Sequence, residues 1–205
     1  MAVFTVFTTV ARDRLYIENF SIGQGETLTI PIQLDNDTVY CAFQTDLYLP
    51  QGLQVELDDD EFIIDLTSRK DRTHTLSSYQ QADGAIRIYV SSQSVKPFSG
   101  NSGPIATIEL TATENVTNAV VALRNSITVE ESGQKHYLED SEAIVNAAAS
   151  IQGDVNDDGD VNVIDITALI DEIMNDGTNP RADVNGDGEI NVIDITVLID
   201  IIMNS

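Results

Sequence analysis

The stretch DVNDDGDVNVID at residues 154–165 recurs as DVNGDGEINVID at residues 183–194, 29 positions later. Each copy runs on into the same pattern, IT-x-LID-x-IMN. In the first copy, Asp154, Asn156, Asp158, Asp160, Asn162 and Asp165 occupy loop positions 1, 3, 5, 7, 9 and 12. In the second, Asp183, Asn185, Asp187, Glu189, Asn191 and Asp194 occupy the same positions. Every one is an oxygen donor, the residue at position 7 through its backbone carbonyl. Position 6 is Gly159 or Gly188, where the loop turns sharply and a positive φ costs glycine nothing. Calcium is a hard cation that takes roughly six to eight oxygens in a flexible shell, and this is the spacing at which an EF-hand loop supplies them. Asp, Asn and Gly also cluster in metal-free turns. One copy is compatible with that; two copies in the same phase, with the same continuation, predict two bound calcium ions.

The continuation predicts helices. Ile166, Leu169, Ile170 and Ile173 fall at i, i+3, i+4 and i+7, as do Ile195, Leu198, Ile199 and Ile202. Neither stripe can be buried by its own helix, so the two helices are expected to pack on each other. NDG at residues 175–177 and Pro180 break the chain between them. No helical pattern leads into the first loop, because residues 146–153 read NAAASIQG. Position 12 is Asp, one methylene shorter than the usual Glu, so each helix must begin close to the ion. These are half EF-hands, a loop and an exiting helix.

On these features residues 151–205 resemble a type I dockerin, a family of two loop–helix repeats with Asp at position 12. The resemblance implies an all-α module with two calcium ions that docks on a cohesin-like domain, in the same chain or another. In that family positions 10 and 11 of each repeat commonly face the partner, with 17, 18 and 22. Positions 10 and 11 here are Val163 and Ile164, then Val192 and Ile193; positions 17 and 18 are Ile170 and Asp171, then Ile199 and Asp200. Dockerins of cellulosomes usually have small or hydroxylated residues at 10 and 11, and often basic ones at 17 and 18. The departure points to an apolar contact with a partner or a neighbouring domain. Internal core is the other reading of the Val-Ile pairs, although Val161 and Ile190 at position 8 are the more natural core residues. Near-identity of the repeats predicts approximate twofold symmetry and two orientations of binding.

Before residue 150 the periodicity changes to two. Runs at 15–20, 27–35, 39–49, 53–57, 74–80, 85–91, 105–112, 120–124 and 127–130 read as about nine short strands. Turn signals separate them, among them GQG at 23–25, PQG at 50–52, DG at 83–84 and GNSGP at 100–104. The expectation is a multidomain chain: an N-terminal all-β, jelly-roll-like sandwich and a small C-terminal all-α module. The expected boundaries are 12–146 for the sandwich, 147–152 for a short linker and 153–205 for the loop–helix module. The stretches GETLTIPIQL (25–34), AFQTDLYLPQGL (42–53), GAIRIY (84–89) and PIATIEL (104–110) give the sandwich a resemblance to a cohesin, with carbohydrate-binding and immunoglobulin-like modules as alternatives. No cohesin site residues are carried over.

The formal charge is −24; residues 151–205 alone hold 13 acids and one base. Six ligand carboxylates crowd two loops, so folding of this segment is expected to depend on calcium. The acidity disfavours nucleic acid and anionic membranes as partners. A single cysteine, Cys41, excludes a disulfide framework and reads as a buried small hydrophobe. Residues 1–11 are apolar and read as a signal-peptide remnant or a disordered segment, too short to span a membrane. Dependence on calcium suits a secreted, extracellular or cell-surface bacterial setting.

Three functions compete. The first is a non-catalytic, calcium-dependent protein–protein interaction protein. The second is a carbohydrate-binding sandwich carried by the docking module, with polysaccharide as ligand; the chain has no Trp, and its tyrosines lie mostly in strand patterns. The third is a glycan-active enzyme anchored by that module. His74 and His136 lack metal-ligand spacing, residues 58–61 (DDDE) read as a solvated loop, and Ser77, Ser91 and Ser94 lack a nucleophile-elbow context. The sequence therefore gives no catalytic residue.

Overall fold

The computed structural model describes residues 13–148 and 151–204, which form two compact units. Residues 1–11, read as a leader remnant, lie outside the described residues.

The first unit contains fourteen strands: β1 (Arg14–Tyr16), β2 (Phe20–Ile22), β3 (Thr27–Asp35), β4 (Tyr40–Tyr48), β5 (Leu53–Val55), β6 (Leu57–Asp58), β7 (Glu61–Phe62), β8 (Ile64–Leu66), β9 (His74–Gln80), β10 (Ile86–Ser92), β11 (Pro104–Ala112), β12 (Ala119–Glu130), β13 (Lys135–Tyr137) and β14 (Ser141–Ala147). One sheet runs β1-β3-β11-β5, with β8 also on β11. The other runs β2-β14-β12-β4-β10-β9, with β13 also on β12. Alternate residues of both enter one core: Ile30, Ile32 and Leu34 from β3, Ile108 and Leu110 from β11, Phe43 and Leu47 from β4, Ile86, Ile88 and Val90 from β10. This is the expected sandwich.

The strands differ from the sequence reading in instructive ways. The runs at 120–124 and 127–130 are one strand. Arg124 faces Asp46 and Ile127 faces Gln44, so β12 holds one extra residue against β4, a β-bulge. Asn125 takes a left-handed backbone there, at φ 52°. The short β6–β7 hairpin lies where a loop was expected: Asp58 to Glu61 stay exposed, but Asp59 and Asp60 both have positive φ and close a two-residue turn. The final strand β14 was not foreseen, and it reaches Ala147, inside the stretch read as linker.

The bulge organises a polar site on β4. It brings Ser126 against Thr45, their hydroxyls 2.8 Å apart in the interior. It also turns the Asn125 amide onto the Asp46 carboxylate at 2.9 Å. Arg87 on the neighbouring strand grips the same carboxylate with two bonds of 2.6 and 2.7 Å. The Arg87 guanidinium holds the buried Asp46 carboxyl below the usual carboxylate range, against the opposing effect of burial, and Asn125 adds to the shift.

A second polar anchor is Arg69. Its buried guanidinium donates to the carbonyls of Leu34, Ser99, Gly100 and Gly103 and to Asn36 Oδ1, at 2.7 to 3.1 Å. The end of β3 and the segment before β11 are thereby pinned to a side chain of a third segment. Cys41 is buried, as expected. His74 is buried too and stacks on Phe98 with ring centroids 4.2 Å apart.

All six tyrosines precede residue 148, and both α-helices follow residue 151, so tyrosine fluorescence and the helical circular dichroism signal report on different units. Arg69→Ala leaves several buried carbonyls without a donor and is expected to destabilise the sandwich by about 3 kcal/mol; urea unfolding followed by tyrosine fluorescence measures this. Asp46→Asn is expected to cost about 2 kcal/mol at neutral pH. Because the folded-state pKa of Asp46 lies below its unfolded value of about 3.9, its contribution is complete above that value and is lost as pH falls through the folded one. The stability difference between wild type and Asp46→Asn should therefore shrink below about pH 4, measured as unfolding midpoints across an acid pH series.

Candidate functional site

The second unit consists of two loops and two helices, α1 (Val163–Met174) and α2 (Val192–Asn204). A single 3-10 turn at Pro180–Ala182 precedes the second loop. Val155, Leu169, Ala182, Val184 and Leu198 form its buried core, with Val161, Ile166, Ile173, Ile190, Ile195 and Ile202 packed around them. Position 8 of each loop is thus core, as read from the sequence. The expected helix stripes are narrower than predicted: Ile170 and Ile199 are exposed. Two helices offer each other one seam, and a wider apolar face finds nothing to cover it.

The loops are built from carboxylates that accept backbone N–H groups. Asp154 accepts from Asp158 and Gly159 at 3.1 Å each, and Asp183 accepts from Gly186, Asp187 and Gly188 at 2.8 to 3.1 Å. Position 3 accepts from position 5, Asn156 from Asp158 and Asn185 from Asp187. Position 5 accepts from position 7, Asp158 from Asp160 and Asp187 from Glu189. The asparagine amides of position 3 also donate to the carboxylates of position 5, at 2.8 and 2.9 Å. Gly159 and Gly188 have φ of 86° and 91°, as their turn requires.

Position 12 joins loop to helix. Asp165 accepts from Asn162 N–H at 2.8 Å with one oxygen and from Val155 and Asn156 N–H at 2.8 and 3.2 Å with the other. Asn162 in turn caps α1, accepting from Ile164 N–H at 2.8 Å, which completes a capping box. Asp194 and Asn191 repeat the arrangement at α2. The side chain of Asp is short enough to serve as third helical residue and to reach back across its loop. This is the local reason for Asp where an EF-hand has Glu.

Asp154, Asp165 and Asp194 are buried, and the one base in residues 151–205, Arg181, pairs with Asp157. Among the described residues these three carboxylates accept hydrogen bonds from backbone N–H groups, within a donor set made wholly of oxygen. Such a set fits a hard cation and excludes the nitrogen and sulfur ligation of zinc. Among the described residues no cluster of three or more His, Cys, Asp and Glu side chains forms a metal site by itself; a full shell here needs the Asn side chains and backbone carbonyls as well.

The residues expected to face a partner are on the surface. Val163 and Ile164 are 67 and 57 % exposed in the first turn of α1, Val192 and Ile193 are 66 and 55 % exposed in that of α2. The reading of these pairs as internal core is set aside. Sequence reasoning missed the rest of the face. Met174 and Met203 are 76 and 78 % exposed, and Thr167 and Thr196 are exposed as well. Val163, Thr167, Ile170 and Met174 follow at i, i+4, i+7 and i+11, a second helical stripe beside the buried one, and Val192, Thr196, Ile199 and Met203 repeat it.

On the sandwich, Tyr79, Tyr89 and Tyr137 are exposed. Tyr79 lies opposite Arg87 and Tyr89 opposite Ser77, so the two rings are diagonal neighbours on β9 and β10. His136 bonds Glu130 at 2.5 Å, and its ring meets Tyr40 edge-on. No helix among the described residues is long and apolar enough to cross a membrane.

Comparison with known proteins agrees with both halves. No curated protein matches the chain. The first unit has the fold of solved cohesins. A cohesin module from a family 33 glycoside hydrolase of Clostridium perfringens superposes with a TM-score of 0.52 at 16% identity, covering 69% of this chain and 100% of that one. A chain of a type I cohesin–dockerin complex from Clostridium thermocellum gives 0.53 at 10%, covering 71% and 100%. A non-cellulosomal cohesin from the archaeon Archaeoglobus fulgidus gives 0.50 at 14%, covering 67% and 93%. The family model for the dockerin type I domain matches residues 152–203. Those residues belong to the type I dockerins, non-catalytic modules that bind cohesin partners, and they follow a β-sandwich of the cohesin fold.

Proposed function

We propose that this chain is a non-catalytic link in a secreted or cell-surface bacterial assembly, with residues 153–205 as its calcium-dependent docking module and residues 12–146 as its sandwich. The observation that carries the reading is the exposed aliphatic face on α1 and α2, presented twice by a segment that matches the type I dockerins. Burying large aliphatic side chains gives association its driving force, about 25 cal/mol per Å² removed from water. Val163, Ile164, Val192 and Ile193 form the centre of the contact. The partner is a cohesin-like domain.

Calcium is held by Asp154, Asn156, Asp158, Asp160, Asn162 and Asp165 in the first loop and by Asp183, Asn185, Asp187, Glu189, Asn191 and Asp194 in the second. The ion supplies the positive charge that the unit's 13 acids and single base lack. Binding to the folded state alone stabilises that state by mass action. Chelation with EDTA is expected to abolish most of the helical circular dichroism signal, to leave tyrosine fluorescence unchanged, and to be reversed by excess calcium; helicity that persists in EDTA would count against the reading.

The two repeats present the same side chains, so either can occupy the same partner site. Against a panel of purified type I cohesin modules in biolayer interferometry, Val163→Asp/Ile164→Asp alone should change affinity by no more than about threefold. Adding Val192→Asp/Ile193→Asp should weaken it about 100-fold or more, as expected for residues at the centre of an interface. Loss of binding from the first pair alone would show that one repeat carries the contact.

A further inference from the structure

The repeats of the second unit are tied to each other crosswise, and each tie lands beside the first ligand position of the opposite loop. Gln152, two residues before Asp154, donates from Nε2 to the carbonyl of Val184 at 2.8 Å. Asn179, four residues before Asp183, donates from Nδ2 to the carbonyl of Val155 at 3.0 Å. Val155 and Val184 are the second residues of the two loops, 29 positions apart, and both are buried in the shared core. A third tie has no counterpart: Arg181, two residues before Asp183, reaches Asp157 of the first loop at 2.9 Å. The matching position of the second loop is Gly186. The 3-10 turn that leads into the second loop is thus fastened to the first loop at both Asn179 and Arg181, with buried Ala182 between Arg181 and Asp183.

We propose that the two loops fill with calcium as one coupled unit, and that Gln152, Asn179 and Arg181 carry the coupling. The proposal rests on the reading of both loops as calcium sites. Ordering the first loop fixes the Val155 carbonyl and the Asp157 carboxylate. These hold Asn179 and Arg181 in place, which sets residues 179–182 and delivers Asp183 to its position. The second ion then meets a loop whose ordering cost has already been met. Gln152 and the Val184 carbonyl act in the opposite sense, as reciprocity of coupling requires. None of the three side chains is one of the proposed ligands, so the coupling can be removed with every ligand kept.

The test uses the full chain, labelled with ¹⁵N and titrated with calcium, with the amide signals of Gly159 and Gly188 reading the two loops separately. In wild type both signals should share one midpoint. In Asp183→Ala the Gly159 midpoint should move to at least about fivefold higher calcium, the lower end of ordinary allosteric coupling. In the Gln152→Ala/Asn179→Ala/Arg181→Ala background, adding Asp183→Ala should move the Gly159 midpoint by no more than about twofold. A Gly159 midpoint in Asp183→Ala within about twofold of wild type, or a displacement by Asp183→Ala as large in the triple-variant background as in wild type, overturns the proposal and leaves calcium binding standing. Two signals that never respond to calcium overturn the calcium reading, and the coupling with it.

Discussion

The second unit depends on one constraint: Asp165 and Asp194 are buried carboxylates with no side-chain cation paired to them among the described residues. Burying an ionised group is expensive unless it is hydrogen-bonded and its charge is met. Backbone N–H groups satisfy the hydrogen bonds, and they are what bends each loop around a common centre. They leave the charge. A segment with 13 acids and one base cannot supply the missing cations from its own side chains. The same carboxylates start the helices, so loop order, helix order and the aliphatic face at positions 10 and 11 are consequences of one unmet charge.

The sandwich solves a comparable problem internally. Asp46 is equally buried, yet Arg87 meets it with two bonds, and the bulge at Asn125 adds a third. Arg69 is the inverse case, a buried cation neutralised by the dipoles of four carbonyls and the Asn36 side-chain amide oxygen. Burial pushes its guanidinium pKa down from the usual arginine value, although not to a range where it would lose its proton. Asp46 and Arg69 thus each meet compensating groups within the first unit, whereas Asp165 and Asp194 accept only backbone N–H groups among the described residues.

What the sequence displays plainly is what repeats at short range. Loop positions, glycine turns and helix spacing are local, and twelve oxygen-bearing positions could be named from spacing alone. Long strands such as Thr27–Asp35 and His74–Gln80 were legible for the same reason. Bonds between distant residues have no such signature. Gln152, Asn179 and Arg181 stand in an unremarkable turn-rich context, and Arg69 sits among exposed polar residues in TSRKDR. Asn125-Ser126 looked like a break between two strands, because a bulge interrupts the alternation that identifies one. Met174 and Met203 were overlooked since a helix carrying two apolar stripes looks like a helix with one broad stripe.

The last strand of the sandwich is also its tether. Residue 148 leads directly from β14 toward the dockerin, and β14 lies between two neighbours, antiparallel β12 and parallel β2. Five rungs face Ala119 to Leu123 and three face Phe20 to Ile22. Rungs of a β-ladder lie across the strand. A pull directed along β14 loads all of them at once and does not open them in turn.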